Sequence, residues 1–96
     1  MVAVRKTKVF LDWIASLRDS RAIARIAARI DRLSLGNPGD VRPVGDGVSE
    51  MRIDYGPGYR DYFVRRGAEI VVLLCGGDKS SQSTDIAYAK RLAQEV

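Results

Sequence analysis

Six consecutive apolar residues, Ile70-Val71-Val72-Leu73-Leu74-Cys75, constrain the fold more than any other feature of the chain. Successive residues of a strand point to opposite faces, so a run that is apolar at every position marks an interior strand covered on both sides. The run is far too short to cross a bilayer. At 96 residues the chain has room for one domain, expected over residues 1–96, and 46% apolar content is enough to build its core.

The segments around this strand alternate in period. Residues 2–6 suit a short opening strand. Thr7 is placed to cap a helix over residues 8–18, with Val9, Phe10, Trp13, Ile14 and Leu17 at helical spacing. Asp19 or Ser20 caps a second helix, with Ile23, Ile26, Ile30 and Leu33 on one face and Arg21, Arg25, Arg29 and Arg32 on the other. Gly36 ends that helix and Pro38 prevents its return. The short turn between the helices predicts a packed helical hairpin. Val41-Arg42-Pro43-Val44 reads as an edge strand, because proline cannot donate to a central ladder. Residues 49–55 alternate, with Met51, Ile53 and Tyr55 opposed to Glu50, Arg52 and Asp54. After the turn Gly56-Pro57-Gly58, residues 59–65 set Arg60, Tyr62 and Val64 against Tyr59, Asp61 and Phe63. Arg66-Gly67-Ala68 makes the next hairpin turn. A polar loop over residues 76–83 leads to a last helix near residues 85–94, with Ile86, Ala89, Leu92 and Ala93 inward. The expected fold is α+β: a curved antiparallel sheet of about four to five strands with an N-terminal helical hairpin and a C-terminal helix.

The 16 Lys and Arg residues against 12 Asp and Glu leave a charge of +4, which suits a polyanionic or acidic partner. The chain has no His and one Cys, so zinc sites and Ser-His-Asp or Cys-His catalysis are excluded. Cys75 reads as a small buried hydrophobe in a reducing compartment. Residues 1–6 lack the apolar stretch of a signal peptide, so a cytoplasmic location without a membrane is expected. Gly76-Gly77-Asp78-Lys79-Ser80 lacks the spacing of a phosphate loop, and Gly56-Pro57-Gly58-Tyr59-Arg60-Asp61 lacks the third glycine of a dinucleotide loop; both read as turns.

What remains is a cationic and aromatic set on the strands and their rims: Arg52, Tyr55, Tyr59, Arg60, Tyr62, Lys79 and Tyr88. Such a set suits RNA, since Arg and Lys neutralise phosphate charge and Tyr stacks on exposed bases. RNA carries its own nucleophile in the 2′-OH. A protein need only align it, assist proton transfer and stabilise the pentavalent phosphorus, without metal or cofactor. The same residues also fit an ordinary solvated strand surface. The arginine stripe of the second helix reads as a solvated face or an RNA contact, and less well as a DNA reader, because it runs the whole helix rather than its start. Glu50, Asp54 and Asp61 read as strand-surface charge, with a carboxylate pair for acid–base work as the alternative.

Three motifs, in order, resemble a known group. Gly36-Asn37-Pro38-Gly39-Asp40-Val41-Arg42-Pro43-Val44-Gly45-Asp46-Gly47-Val48-Ser49-Glu50-Met51-Arg52-Ile53 is similar to the GNxGDxKPVGxGVxELRI segment of HigB-like addiction module killer proteins. Tyr55-Gly56-Pro57-Gly58-Tyr59-Arg60 resembles their YGPGYR. Leu73-Leu74-Cys75-Gly76-Gly77-Asp78-Lys79-Ser80-Ser81-Gln82 resembles their LLxGGDKSTQ, with Ser81 for the usual Thr. The group lies in the RelE/ParE toxin superfamily. The resemblance implies a toxin that cuts mRNA in the ribosomal A site and pairs with a HigA-like helix-turn-helix antitoxin, through which alone it meets operator DNA. It implies a catalytic set of Arg60, Arg52, Lys79 and Tyr88; from the cationic and aromatic character of the strands, Tyr55, Tyr59, Tyr62 and Arg42 are expected to contact RNA. Asp61 departs from the pattern, where an apolar residue is usual, and no His-based proton transfer carries over. Two rivals stand beside this reading: a ParE-like gyrase inhibitor and a non-enzymatic nucleic-acid-binding module using the arginine stripe. The nuclease reading requires Arg52, Arg60 and Lys79 to share one groove.

Overall fold

Strand β5 (Ile70–Gly77) is interior, as its apolar run requires, with β1 (Ala3–Lys6) on one side and β4 (Tyr59–Arg66) on the other. The computed structural model describes residues 1–96. Its five-stranded sheet runs β1-β5-β4-β3-β2, where β2 is Val41–Gly45 and β3 is Val48–Ile53. Helices α1 (Lys8–Ser16) and α2 (Ser20–Ser34) cover one face, and α3 (Gln82–Ala93) covers the other. The core is therefore double. Phe10, Ile26, Leu33, Met51, Phe63 and Leu73 pack beneath α1 and α2, whereas Val48, Tyr62, Val64, Leu74, Ala89 and Leu92 pack beneath α3. Each large apolar side chain so buried contributes about 1.5–3 kcal/mol. No helix is long and apolar enough to cross a membrane.

The predicted signals act locally as expected at several points. Thr7 Oγ1 accepts from the Phe10 amide at 3.0 Å and donates to the Leu74 carbonyl at 2.7 Å, so the cap of α1 also ties it to β5. Asp19 caps α2 by accepting from the Arg21 and Ala22 amides. Pro43 lies in edge strand β2, where the ladder to β3 slips between Pro43 and Gly45.

Two expectations need correction. The sheet is mixed, because β1 pairs with β5 in parallel, Ala3 opposite Ile70 through Lys6 opposite Leu73. A short strand carries no mark of its direction, and a partner far along the chain is equally silent. The predicted helical hairpin is not closely packed either. Helix α1 stops at Ser16, two residues early, and Leu17 turns to extended backbone. Each helix then packs on the sheet, leaving an apolar cleft of about 120 Å³ walled by Phe10, Leu11, Ile14, Ile23, Ile26 and Ile30.

Candidate nucleic-acid interface

The β3–β4 hairpin brings Arg52 directly opposite Arg60 in the antiparallel register. Its turn is held by hydrogen bonds from the Tyr55 amide to Ile53 O and from the Gly58 amide to Tyr55 O. Gly58 adopts a left-handed φ of 78°, which favours glycine. A single 3₁₀ turn, Lys79–Ser81, follows β5 and is capped by Asp78. It lays Lys79 beside the hairpin turn, where the Lys79 amide donates to Pro57 O at 3.4 Å. The result is an open groove of about 350 Å³ lined by Asp40, Arg52, Ile53, Asp54, Gly58, Tyr59, Arg60 and Lys79. Arg52, Arg60 and Lys79 thus share one groove, with Tyr59 in its wall.

The three cations differ in state. Arg52, half exposed, donates from Nε and Nη2 to Asp40 Oδ1 at 3.3 and 2.8 Å, and that bond holds the Asp40 carboxyl below its usual range. Arg60 is only 11% exposed; its Nη1 donates to Gly58 O at 2.7 Å, and its Nε lies 3.5 Å from Glu50 Oε2 without hydrogen-bond geometry. Lys79 is exposed and forms no ion pair.

Beneath the groove lies Glu50, at 0% exposure. Its carboxylate accepts from Arg42 Nε at 2.9 Å, Tyr62 OH at 3.0 Å and Gln82 Nε2 at 2.9 Å. Burial pushes its pKa up, but the bonds from Arg42, Gln82 and Tyr62 outweigh this and hold it below the ordinary value, so Glu50 is an anion.

The remaining predicted residues separate. Tyr62 is fully enclosed, with its hydroxyl committed to Glu50, so it cannot stack on a base as expected. Arg42 turns to Glu50 from β2, and Tyr88 packs on the α3 core with the Arg91 guanidinium 5.1 Å from its ring centre; neither lines the groove. Tyr55 lies toward α2, donating to Asp19 Oδ2 at 2.9 Å, with Arg25 4.8 Å from its ring centre. Tyr59 meets Trp13 edge-on, centroids 6.2 Å apart.

Glu50 and Asp61 are buried, contrary to the expected surface placement, because helices cover both sheet faces. Neither Asp61 carboxylate oxygen has a hydrogen-bond partner, and burial pushes its pKa up to about 8. Sequence reasoning missed Glu50 as a hub. Its signal was its strand register, which sets Arg42 and Tyr62 on either side of it. It also missed Asp40 and Gln82, whose loop and helix contacts no periodicity reports.

The arginine stripe of α2 is not uniformly solvated. Arg29 donates to Arg52 O at 2.6 Å and Pro38 O at 3.1 Å, clipping the loop before β2 to the end of β3. Arg25, Arg29 and Arg32 line a hollow of about 280 Å³ that shares Ile53 and Asp54 with the groove, and a further hollow continues past Arg25 to Arg21. Arg21, Arg25 and Arg32 form no ion pairs. A cationic track therefore runs from Lys79 across the hairpin onto α2. Such a track can hold successive phosphates. No three Cys, Asp or Glu side chains gather as metal ligands.

A protein of Haemophilus influenzae Rd, named only "Uncharacterized protein", is 50% identical over 95 residues, which is 99% of this chain and 96% of that protein. Residues 12–95 match the family described as "Phage derived protein Gp49-like (DUF891)". That span contains the whole groove, from Asp40 to Lys79. The chain belongs to the Gp49-like phage-derived family.

Proposed function

We propose that the chain is the toxin of a toxin–antitoxin module and acts as a metal-independent endoribonuclease on mRNA in the ribosomal A site. The observation that carries this reading is the convergence of Arg52, Arg60 and Lys79 in one groove beside Tyr59. Membership of the Gp49-like family is compatible with a toxin.

In this reading the scissile phosphate lies against Arg60, whose deep setting leaves few orientations open. The 2′-oxygen attacks phosphorus, the P–O5′ bond breaks, and a cyclic phosphate and a 5′-hydroxyl result. Arg60 and Arg52 stabilise the charge gathering on the phosphoryl oxygens. Lys79, the groove cation without a carboxylate partner, protonates the leaving 5′-oxygen. Asp54, exposed in the groove wall and in no ion pair, accepts the 2′-hydroxyl proton. Tyr59 supports a base, and the α2 arginines hold RNA phosphates beyond the cut. Tyr88 has no part, since it does not line the groove. The activity is restrained by a HigA-like helix-turn-helix antitoxin, and operator DNA is met only through it.

The test is induced expression with mapping of mRNA 5′ ends, alongside cleavage by purified protein with and without translating ribosomes. Cuts at ribosome-occupied codons that vanish in soluble Arg60→Ala support the reading. Undiminished growth arrest by folded Arg60→Ala overturns it, and inhibition of DNA supercoiling in its place would favour a gyrase-directed toxin.

A further inference from the structure

We propose that Glu50 is a positioning residue: from beneath the groove it fixes the guanidinium fork of Arg60 so that one nitrogen faces the phosphate. This rests on the nuclease reading of the same groove. Two fixed points hold the fork. Gly58 O accepts from Nη1 at 2.7 Å, and the Glu50 carboxylate pairs with Nε by charge at 3.5 Å, without hydrogen-bond geometry; Nε is buried and has no hydrogen-bond partner. Nη2 has no intramolecular hydrogen bond and is left for the groove.

Glu50 is itself immobilised from three elements, by Arg42 of β2, Tyr62 of β4 and Gln82 of α3. A buried carboxylate with one partner could turn with the arginine; one held by three cannot follow it. The charge also matters. Arg60 is almost enclosed, and an enclosed cation without a counter-ion would be driven outward into solvent, away from a defined pose. Glu50 keeps Arg60 in place while leaving its outer nitrogen unneutralised by contact. A long arginine side chain otherwise samples many rotamers, and a phosphate-binding group gains rate only when its geometry is set beforehand.

The test uses Glu50→Gln, which keeps an acceptor and removes the charge, and Tyr62→Phe, which removes one of the bonds orienting the carboxylate. Arginine side-chain ¹⁵N NMR reads the Arg60 Nε–H signal and rotation of its Nη groups, and ribosome-bound mRNA cleavage is resolved into kcat and KM. In both variants Arg60 rotation is expected to speed up. In Glu50→Gln kcat is expected to fall at least tenfold, in Tyr62→Phe about threefold, with KM within twofold of wild type. A purely structural Glu50 would alter unfolding without this split. Tyr62→Phe carries the test if Glu50→Gln does not fold. Unchanged Arg60 signals in a folded variant, or a freed Arg60 with wild-type kcat, overturns the proposal. If the wild-type protein cuts no RNA, the nuclease reading fails by itself; Arg60 signals that still respond to Glu50 then uphold the positioning.

Discussion

The indole of Trp13 stands where any side chain at Gly76 would have to be: a Cβ there would overlap three ring carbons. On the opposite face of β5, a Cβ at Gly77 would collide with the Asp85 carboxylate. The adjacent glycines thus let α1 and α3 close on one strand from both sides. Gly76→Ala is expected to cost about 1–3 kcal/mol through overpacking. Trp13→Leu in that background should recover part of the loss; strictly additive urea midpoints would contradict the dependence. Trp13 also abuts Tyr59, so Gly76→Ala should disturb the groove wall.

Asp61 makes stability depend on pH. Its folded pKa is pushed up to about 8 by burial, against about 4 in an unfolded chain. The fold therefore favours the protonated acid. Its stabilising contribution is complete below about pH 4 and is lost as pH rises toward 8, at about 1.4 kcal/mol per unit. Thermal midpoints should fall between pH 5 and pH 8. Asp61→Leu should abolish this slope and be the more stable protein at pH 8. A wild-type midpoint that is flat over this range contradicts it.

Arg29 closes the loop before β2 by donating to three carbonyls, those of Pro38 and Asp40 in the loop and of Arg52 at the end of β3. Lysine has a single ammonium and cannot reproduce the planar fork. Arg29→Lys is expected to destabilise by about 1–3 kcal/mol, from lost hydrogen bonds to a charged donor. Faster amide exchange over residues 39–41 would locate the effect. Unchanged exchange there would show that the clip does not hold the loop.

If the α2 track holds RNA phosphates, Arg25→Ala with Arg32→Ala should weaken binding of single-stranded RNA. The slope of log affinity against log salt should fall by about 1.4, at about 0.7 per lost phosphate contact. Cleavage at saturating RNA should be unchanged, since neither residue lines the groove. A slope equal to wild type would remove the track from the interface.

Much of this architecture was legible because local rules suffice for it. The unbroken apolar run placed β5, the caps at Thr7 and Asp19 placed two helix starts, and Pro43 marked an edge. Alternation on β3 and β4 put Arg52 and Arg60 on strands joined by a turn, and their convergence followed from pairing. Tertiary coverage was not legible. Glu50, Asp61 and Tyr62 occupy positions that alternate like a solvated strand, yet α3 lies over the first and third and the helices of the other face over the second. Nor does periodicity reveal Arg29 turning from its helical stripe toward a loop, or Asp40 answering Arg52.

The parallel seam between β1 and β5 has a consequence for how the chain is made. Ala3 pairs with Ile70, so β1 has no partner strand until β5 has been made. The β3, β4 and β5 meander closes short loops and can assemble early, whereas seating β1 requires closing a loop of more than sixty residues. Residues 79–81 emerge just after β5 and carry Lys79. Completion of the sheet and of the cationic groove therefore both wait for residues 70–81, however early the rest of the chain is in place.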